Sequence, residues 1–198
     1  MANIQSLGSS YLNTMPNFQH VLPTFDEDGN VNMIVEIPQG TFNKYEYVLE
    51  AGVIKLDRVH FETHPMPLEY GVIPQTWDED NDLLDVMSFI THPTFPGCLI
   101  AARVIGIMKF KDSGEVDDKI VCVPASDYRF DHIKSIKDIQ ENIVLELTHY
   151  WESYKDLQFR IHGQVEKSTK VEGWLEADEA IKVIQKCQEA YKSKFGKK

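Results

Sequence analysis

Apolar runs along the chain are short and separated by polar breaks. From Asn32 onward they read "MIVEI", "KYEYVL", "VIKLDRV", "DVMSFI", "LIAARVIGIMKF" and "KIVCV". They are rich in β-branched and aromatic residues, and turn or charged residues divide them, which is the pattern of β-strands. Gly52, between the second and third runs, predicts a hairpin. Around Asp138 the period changes. Ile143, Leu147, Tyr150 or Trp151, and Tyr154 recur at helical spacing. A second helical stripe of Ile181, Ile184, Cys187 or Gln188, Tyr191 and Phe195 starts at about Ala177. Both stripes have the spacing of one buried helix face. Successive strands without alternating helices predict a mainly β (α+β) fold, built on a small barrel rather than a doubly wound sheet.

Residues 1–30 are polar, carry Pro16 and Pro23 and end in the turn sequence "DEDGN", which predicts an N-terminal arm. The 198 residues predict one domain: an arm over 1–30, the barrel over 31–174 and a C-terminal helix over 175–198. A hydrophobic content of 42% with 11% aromatic residues supplies enough apolar surface for a core.

Charge narrows the function classes. Asp and Glu outnumber Lys and Arg by 31 to 20, a net charge of −11. That argues against a nucleic-acid surface, which needs a basic stripe. It leaves room for an anionic substrate, because local cations can reverse the field within one cleft. Cys98, Cys122 and Cys187 form no Cys-x-x-Cys pair, and the expectation is small core residues in a reducing compartment. No apolar stretch approaches membrane-spanning length, and residues 1–18 lack the features of a secretory signal. A cytoplasmic location is expected.

The chemistry concentrates in two acidic stretches. "WDEDNDLLDV" carries Asp78, Glu79, Asp80, Asp82 and Asp85 at the start of a strand. It is not an EF-hand: Leu83 stands at the glycine position and Phe89 at the bidentate glutamate position. The stretch starting at Asp26 fails in the same way, with Val31 and Ile37 there. On composition alone a solvated loop is expected, and Asp78 and Glu79 keep that reading. Asp85 is different, because it lies between Leu84 and Val86, where an unpaired carboxylate is costly to desolvate. Hard divalent ions, magnesium among them, prefer such oxygens. "KDSGEVDDK" reads as an acidic hairpin turn that can meet the first stretch at one ion cluster. Lys44 and Glu46 share one strand face. Arg58 lies in an apolar strand, and Tyr154 and Lys155 end a helix. Each of these is unremarkable alone. There is no zinc spacing, nucleophile elbow or phosphate-binding glycine loop, and His132 is expected to pack or hydrogen-bond.

Taken in order, "VEIPQGTFNKYEY", "GVIKLDRV", "EYGVIPQT", "DEDNDLLDV", the segment from "PTFPGCLI" to "KIVCVP", "FDHIKSIKDI", "YKDL" and "KVEGW" resemble the soluble family I inorganic pyrophosphatases. The resemblance covers about residues 33–174. It implies a five-stranded OB-type closed barrel with flanking helices, including the C-terminal one. It implies magnesium-dependent hydrolysis of pyrophosphate to two phosphates, with manganese, zinc or cobalt as possible substitutes. By position, it makes Asp80, Asp85 and Asp117 ligands of the activating metal, Asp85 also helping to hold a second. Asp82 becomes the general base. Asp112 and Glu46 serve further metals, supported by Glu36. Lys44, Arg58, Tyr70, Lys119, Tyr154 and Lys155 become phosphate-binding residues, with Lys44, Arg58 and Tyr154 assisting catalysis. A homo-oligomer, with a hexamer favoured, is implied too, and the helix around His149 is its expected interface.

Three positions depart from the family pattern. Asn81 and Leu83 replace a glycine and a proline in the acidic signature, and Met66 stands where a tyrosine is common. Asn tolerates the left-handed backbone. Leu83 lacks a fixed φ and is expected to loosen the loop. Leu83 and Met66 motivate one alternative, a catalytically impaired metal-binding relative with a regulatory role. A second alternative is an OB-fold nucleic-acid binder, which needs a basic groove that this chain does not offer.

Overall fold

A computed structural model describes residues 17–48, 51–163 and 169–196. The elements in order are α1 (Phe18–Val21), β1 (Val31–Ile37), β2 (Asn43–Val48), β3 (Val53–Val59), β4 (Glu69–Val72), β5 (Asp85–Ser88), β6 (Leu99–Asp112), β7 (Glu115–Val116), β8 (Lys119–Pro124), α2 (Glu141–Ser153), α3 (Asp156–Ile161), β9 (Thr169–Glu176) and α4 (Ala177–Phe195). Five strands close into a ring in the order β1, β4, β5, β8, β6 and back to β1. Strands β7 and β9 extend from β6, and β2 and β3 form a separate hairpin. Gly52 sits beside that hairpin's turn at φ +64°, a conformation glycine adopts without strain.

Side-chain alternation builds the core on both faces of the ring. On β8, Ile120 and Cys122 join one cluster, while Val121 and Val123 join another. The first cluster is covered by Ala180, Ile184 and Cys187 of α4. The second is covered by Leu147, Tyr150 and Trp151 of α2. The uninterrupted apolar run of β8 is thus a strand buried on both sides.

Three strands are absent from the periodicity reading, β4, β9 and the two-residue β7. The four residues of β4 include Gly71, where an added Cβ would lie 2.0 Å from the Ile34 carbonyl oxygen. A glycine in a strand marks such a close backbone approach. Strand β9 alternates charged with partly buried residues and relies on β6 for its register, so the chain carries only a weak local signal there.

The arm expected over residues 1–30 is described from Asn17 onward, and its earlier part lies outside the described residues. Phe18 and Leu22 pack on a small third cluster of Ile34, Tyr47, Val72 and Leu83. Cys122 and Cys187 are buried, whereas Cys98 is half-exposed, and all three are free thiols. His132 is exposed rather than packed.

Candidate active site

Two β-bulges aim side chains at one mouth of the ring. In β1 the pairing with β4 slips between Val35 and Ile37, leaving Glu36 as the extra residue. In the β2–β3 hairpin the slip places Asp57 between the paired residues Leu56 and Arg58. A bulge bends its strand and redirects the neighbouring side chain. Arg58 becomes the cross-strand partner of Lys44, while Glu46 lies two residues along the same face. Lys44 Nζ donates to Glu46 Oε1 at 2.7 Å.

Strands β5 and β8 run parallel with Val86 opposite Ile120, so Asp85 and Lys119 stand side by side at their starts. The hairpin between β6 and β7 turns at Ser113 and Gly114, both at positive φ, as a tight two-residue hairpin requires. It carries Asp112 and Asp117 to the same mouth. Helix α2 ends there as well, delivering Tyr154 and Lys155.

The result is a cleft of about 270 Å³ that all thirteen candidate residues line. Seven are carboxylates and four are cationic, so the cleft holds a surplus of negative charge. Lys119 Nζ lies 2.7 Å from both Asp85 Oδ2 and Asp117 Oδ1. Its side chain is only 2% exposed. The rings of Tyr70, Phe110 and Trp151 surround it at 5.3–5.5 Å. The Tyr70 hydroxyl donates to Asp85, and Lys155 pairs with Asp112. Tyr154 donates to Asp112 Oδ2 at 3.1 Å. Glu36 accepts from the Tyr47 backbone N–H at 2.6 Å.

These contacts set the protonation states. Burial pushes the Glu36 carboxyl up to about 8, despite the Tyr47 hydrogen bond. Desolvation by the cleft wall around the carboxyl, with Asp85, Asp80 and Glu46 nearby, pushes Asp82 up to about 6, although the residue as a whole is exposed. Burial raises Asp117 even though Lys119 opposes it. For Asp112 burial is outweighed by Lys155, Ser113 and Tyr154, which hold the group below the usual carboxylate range. Burial would lower Lys119, but Asp85 and Asp117 raise it instead.

A stability signature follows. A carboxyl raised on folding binds its proton more tightly in the folded than in the unfolded state, so stability falls as pH rises. For buried Glu36 this loss spans the interval from its ordinary value to about 8, and exposed Asp82 adds little. With EDTA present, the melting temperature is expected to rise by about 5 °C as pH is lowered from about 8 to about 5. Calorimetric scans without this rise would remove the carboxylate crowding as a source of instability.

The acidic turn itself corrects two expectations. Asn81 takes φ +68°, the backbone a glycine would supply. Leu83 does not loosen the turn: it is 3% exposed and packs with Ile34, Tyr47 and Val72. Asp78 is half-buried rather than solvated, whereas Glu79 is exposed. Met66 is buried at the edge of the cleft, with the Tyr150 hydroxyl 3.9 Å from its sulfur.

The residue-by-residue reading left out two features of the cleft. Trp151 forms part of the ring wall around Lys119, and its only sequence signal is its place on a helical stripe. His60 lies two residues beyond Arg58 and lines the cleft. Burial, with Arg58 and Lys44 nearby, pushes its imidazole down to about 4.

The family profile of the inorganic pyrophosphatases matches residues 33–192. This chain belongs to that family. The match extends past the resemblance seen in the motifs and takes in most of α4. The inorganic pyrophosphatase of Geobacillus stearothermophilus is 42% identical over 165 residues, which is 83% of this chain and 96% of that protein. That of Neisseria meningitidis is 41% identical over 179 residues, covering 89% of this chain and 98% of its own length. Among solved structures, the Thermus thermophilus inorganic pyrophosphatase superposes with a TM-score of 0.82 at 38% identity, over 89% of this chain and 99% of that one. The activity of this pyrophosphatase family member is hydrolysis of inorganic pyrophosphate.

Proposed function

We propose that the cleft hydrolyses pyrophosphate with magnesium, using Asp82 as general base, and that residues 1–198 work as one pyrophosphatase domain. The observation carrying this reading is the convergence of seven carboxylates and four cations, with the Tyr70 and Tyr154 hydroxyls, on one small cleft. The volume suits a compact polar ligand rather than a drug-sized one.

The donor set fits a hard divalent ion, because it offers carboxylate oxygens and no thiolate. Asp80, Asp85 and Asp117 would hold the activating ion, with Asp112, Glu46 and Glu36 serving further ones. Among the described residues no three such groups already converge on a single point, and Lys119 stands between Asp85 and Asp117. Bound magnesium neutralises phosphate charge and lowers the pKa of water.

The chain's own residues do the rest. Lys44 and Arg58, side by side on the hairpin, bind phosphate oxygens from one wall. Tyr154 and Lys155 bind them from the other, and Tyr70 and Lys119 contribute from the floor. Burial keeps the Tyr70 and Tyr154 phenols protonated, so both are donors. Asp82 takes a proton from the attacking water as its oxygen bonds to one phosphorus. The bridging P–O bond breaks, and the second phosphate leaves under the charge of the cationic wall.

The purified protein is expected to release phosphate from pyrophosphate with magnesium and to stop when EDTA is added. Release unaffected by EDTA would sink the metal reading, and no release in either case would favour an impaired relative.

We also infer a cytoplasmic homo-oligomer, with a hexamer favoured. No described helix is long and apolar enough to cross a membrane. An apolar hollow of about 720 Å³ beside His149 is lined by Leu68, Phe89, Ile143 and Leu147. Leu145 on the same helix is 62% exposed. Such a patch suits contact between copies. Sedimentation of the same preparation as a monomer would remove the oligomer.

A further inference from the structure

The acidic turn projects from the ring with little packing of its own: Asp80, Asn81 and Asp82 are exposed. What holds it lies at its two ends. At the far end Leu83 and Leu84 are buried. At the near end the chain is docked on α4. The Trp77 backbone N–H donates to the Cys187 carbonyl at 2.9 Å. The Trp77 ring meets Phe195 edge-on at 5.2 Å, and Lys194 Nζ lies 3.4 Å from the ring centroid. Lys186 pairs with Glu79.

Asp78 connects this docking to the turn. Its Oδ1 accepts from the Glu79 backbone N–H at 2.8 Å and from the Cys187 thiol at 3.6 Å. Its backbone closes the turn, with Asp78 N–H donating to the Asp82 carbonyl at 2.8 Å and Asn81 N–H to the Asp78 carbonyl at 3.2 Å. Within that loop the Asp82 N–H donates to Asp80 Oδ1 at 3.0 Å, which orients the Asp80 carboxylate. One hydrogen-bonded chain therefore runs from the helix thiol to the carboxylates of the turn.

We propose that Asp78 and Cys187 are positioning residues, through which the C-terminal helix sets the shape of the turn and with it the affinity for the divalent ion. This rests on the proposed metal role of Asp80 and Asp85 and names residues that touch neither metal nor substrate. Burial pushes the Cys187 thiol up to about 12, so it keeps its proton and acts as a donor. Groups that orient metal ligands from behind commonly contribute about 10- to 100-fold in metal affinity or activity.

The test uses the full chain as Cys187→Ala, Cys187→Ser and Ile184→Val. The last is a control that trims the same helix in the same core cluster without touching a hydrogen bond to the turn. Magnesium binding is followed by calorimetry, and backbone amide exchange of residues 78–82 is followed in EDTA. Cys187→Ala is expected to weaken magnesium binding roughly tenfold and to speed exchange in the turn, while kcat at saturating magnesium stays within about twofold. Cys187→Ser restores the donor and should recover wild-type binding to within about twofold. Ile184→Val should leave both readouts unchanged. Wild-type magnesium affinity and exchange in Cys187→Ala would overturn the proposal. So would equal weakening by Ile184→Val, which would make the effect one of general packing. If the wild-type protein bound no magnesium, the metal reading of the turn would fail. Unchanged exchange in Cys187→Ala would then show separately that the helix does not shape the turn.

Discussion

Replacing Asp82 with Asn is expected to lower kcat by about 10²- to 10⁴-fold, the range a general base contributes. Asn keeps the size of the side chain and an acceptor for the Leu83 backbone N–H, which Asp82 Oδ1 accepts at 2.8 Å. The turn should therefore keep its shape. What is lost is the basic oxygen. Desolvation by the cleft wall and the neighbouring carboxylates of Asp85, Asp80 and Glu46 push Asp82 up to about 6. A group near that value is still ionised at neutral pH and is a stronger base than an ordinary carboxylate. Magnesium binding by calorimetry should survive, because Asp80, Asp85 and Asp117 remain. Turnover within twofold of wild type would take the base role away from Asp82. Loss of metal binding along with turnover would make Asp82 a ligand instead.

Replacing Lys119 with Met is expected to destabilise the protein by about 3 kcal/mol in EDTA, lowering the melting temperature by roughly 6–12 °C. The methylene stem keeps its contacts with the aromatic wall, so the loss is mainly electrostatic. The Lys119 ammonium lies 2.7 Å from Asp85 and 2.7 Å from Asp117. Without it, two enclosed carboxylates repel each other with no counter-charge, and breaking a buried pair costs more than the pair contributes. Magnesium should reverse most of the loss, since a divalent ion between the same oxygens replaces the missing charge. A melting temperature equally low with and without magnesium would argue that Asp85 and Asp117 do not hold the ion. A variant as stable as wild type in EDTA would show that the carboxylates shed their charge without help.

The elements legible in the sequence share a physical property: their signal is local. The strands β1, β2, β3, β5, β6 and β8 carry dense β-branched or aromatic residues, and α2 and α4 carry apolar stripes at helical spacing. Strands β4 and β9 carry little of either. The first is short and contains Gly71 because the Ile34 backbone crowds it. The second takes its register from β6. Within the acidic turn, Asn81 could be read as a glycine substitute because left-handed tolerance belongs to the residue itself. Leu83, expected to loosen the loop, instead anchors it through its buried side chain. Its effect depends on the pocket formed by Ile34, Tyr47 and Val72, and a sequence does not display which residues will surround a leucine.

By itself the sequence determined the family, the strand-rich architecture, the C-terminal helix and the thirteen residues that line the cleft. The strands and the helix follow from residue types at set spacings along the chain, and the thirteen residues follow from the resemblance of its ordered motifs to a known family. Only the tertiary structure decided how the residues meet. It placed Lys119 between Asp85 and Asp117, because two parallel strands begin side by side. It turned Glu36 inward through a bulge and raised its carboxyl by burial. It separated Asp78, anchored to Cys187 on a helix more than a hundred residues away, from exposed Glu79 beside it. Burial, desolvation and charge pairing depend on neighbours distant in the chain, and the fold alone brings those neighbours together.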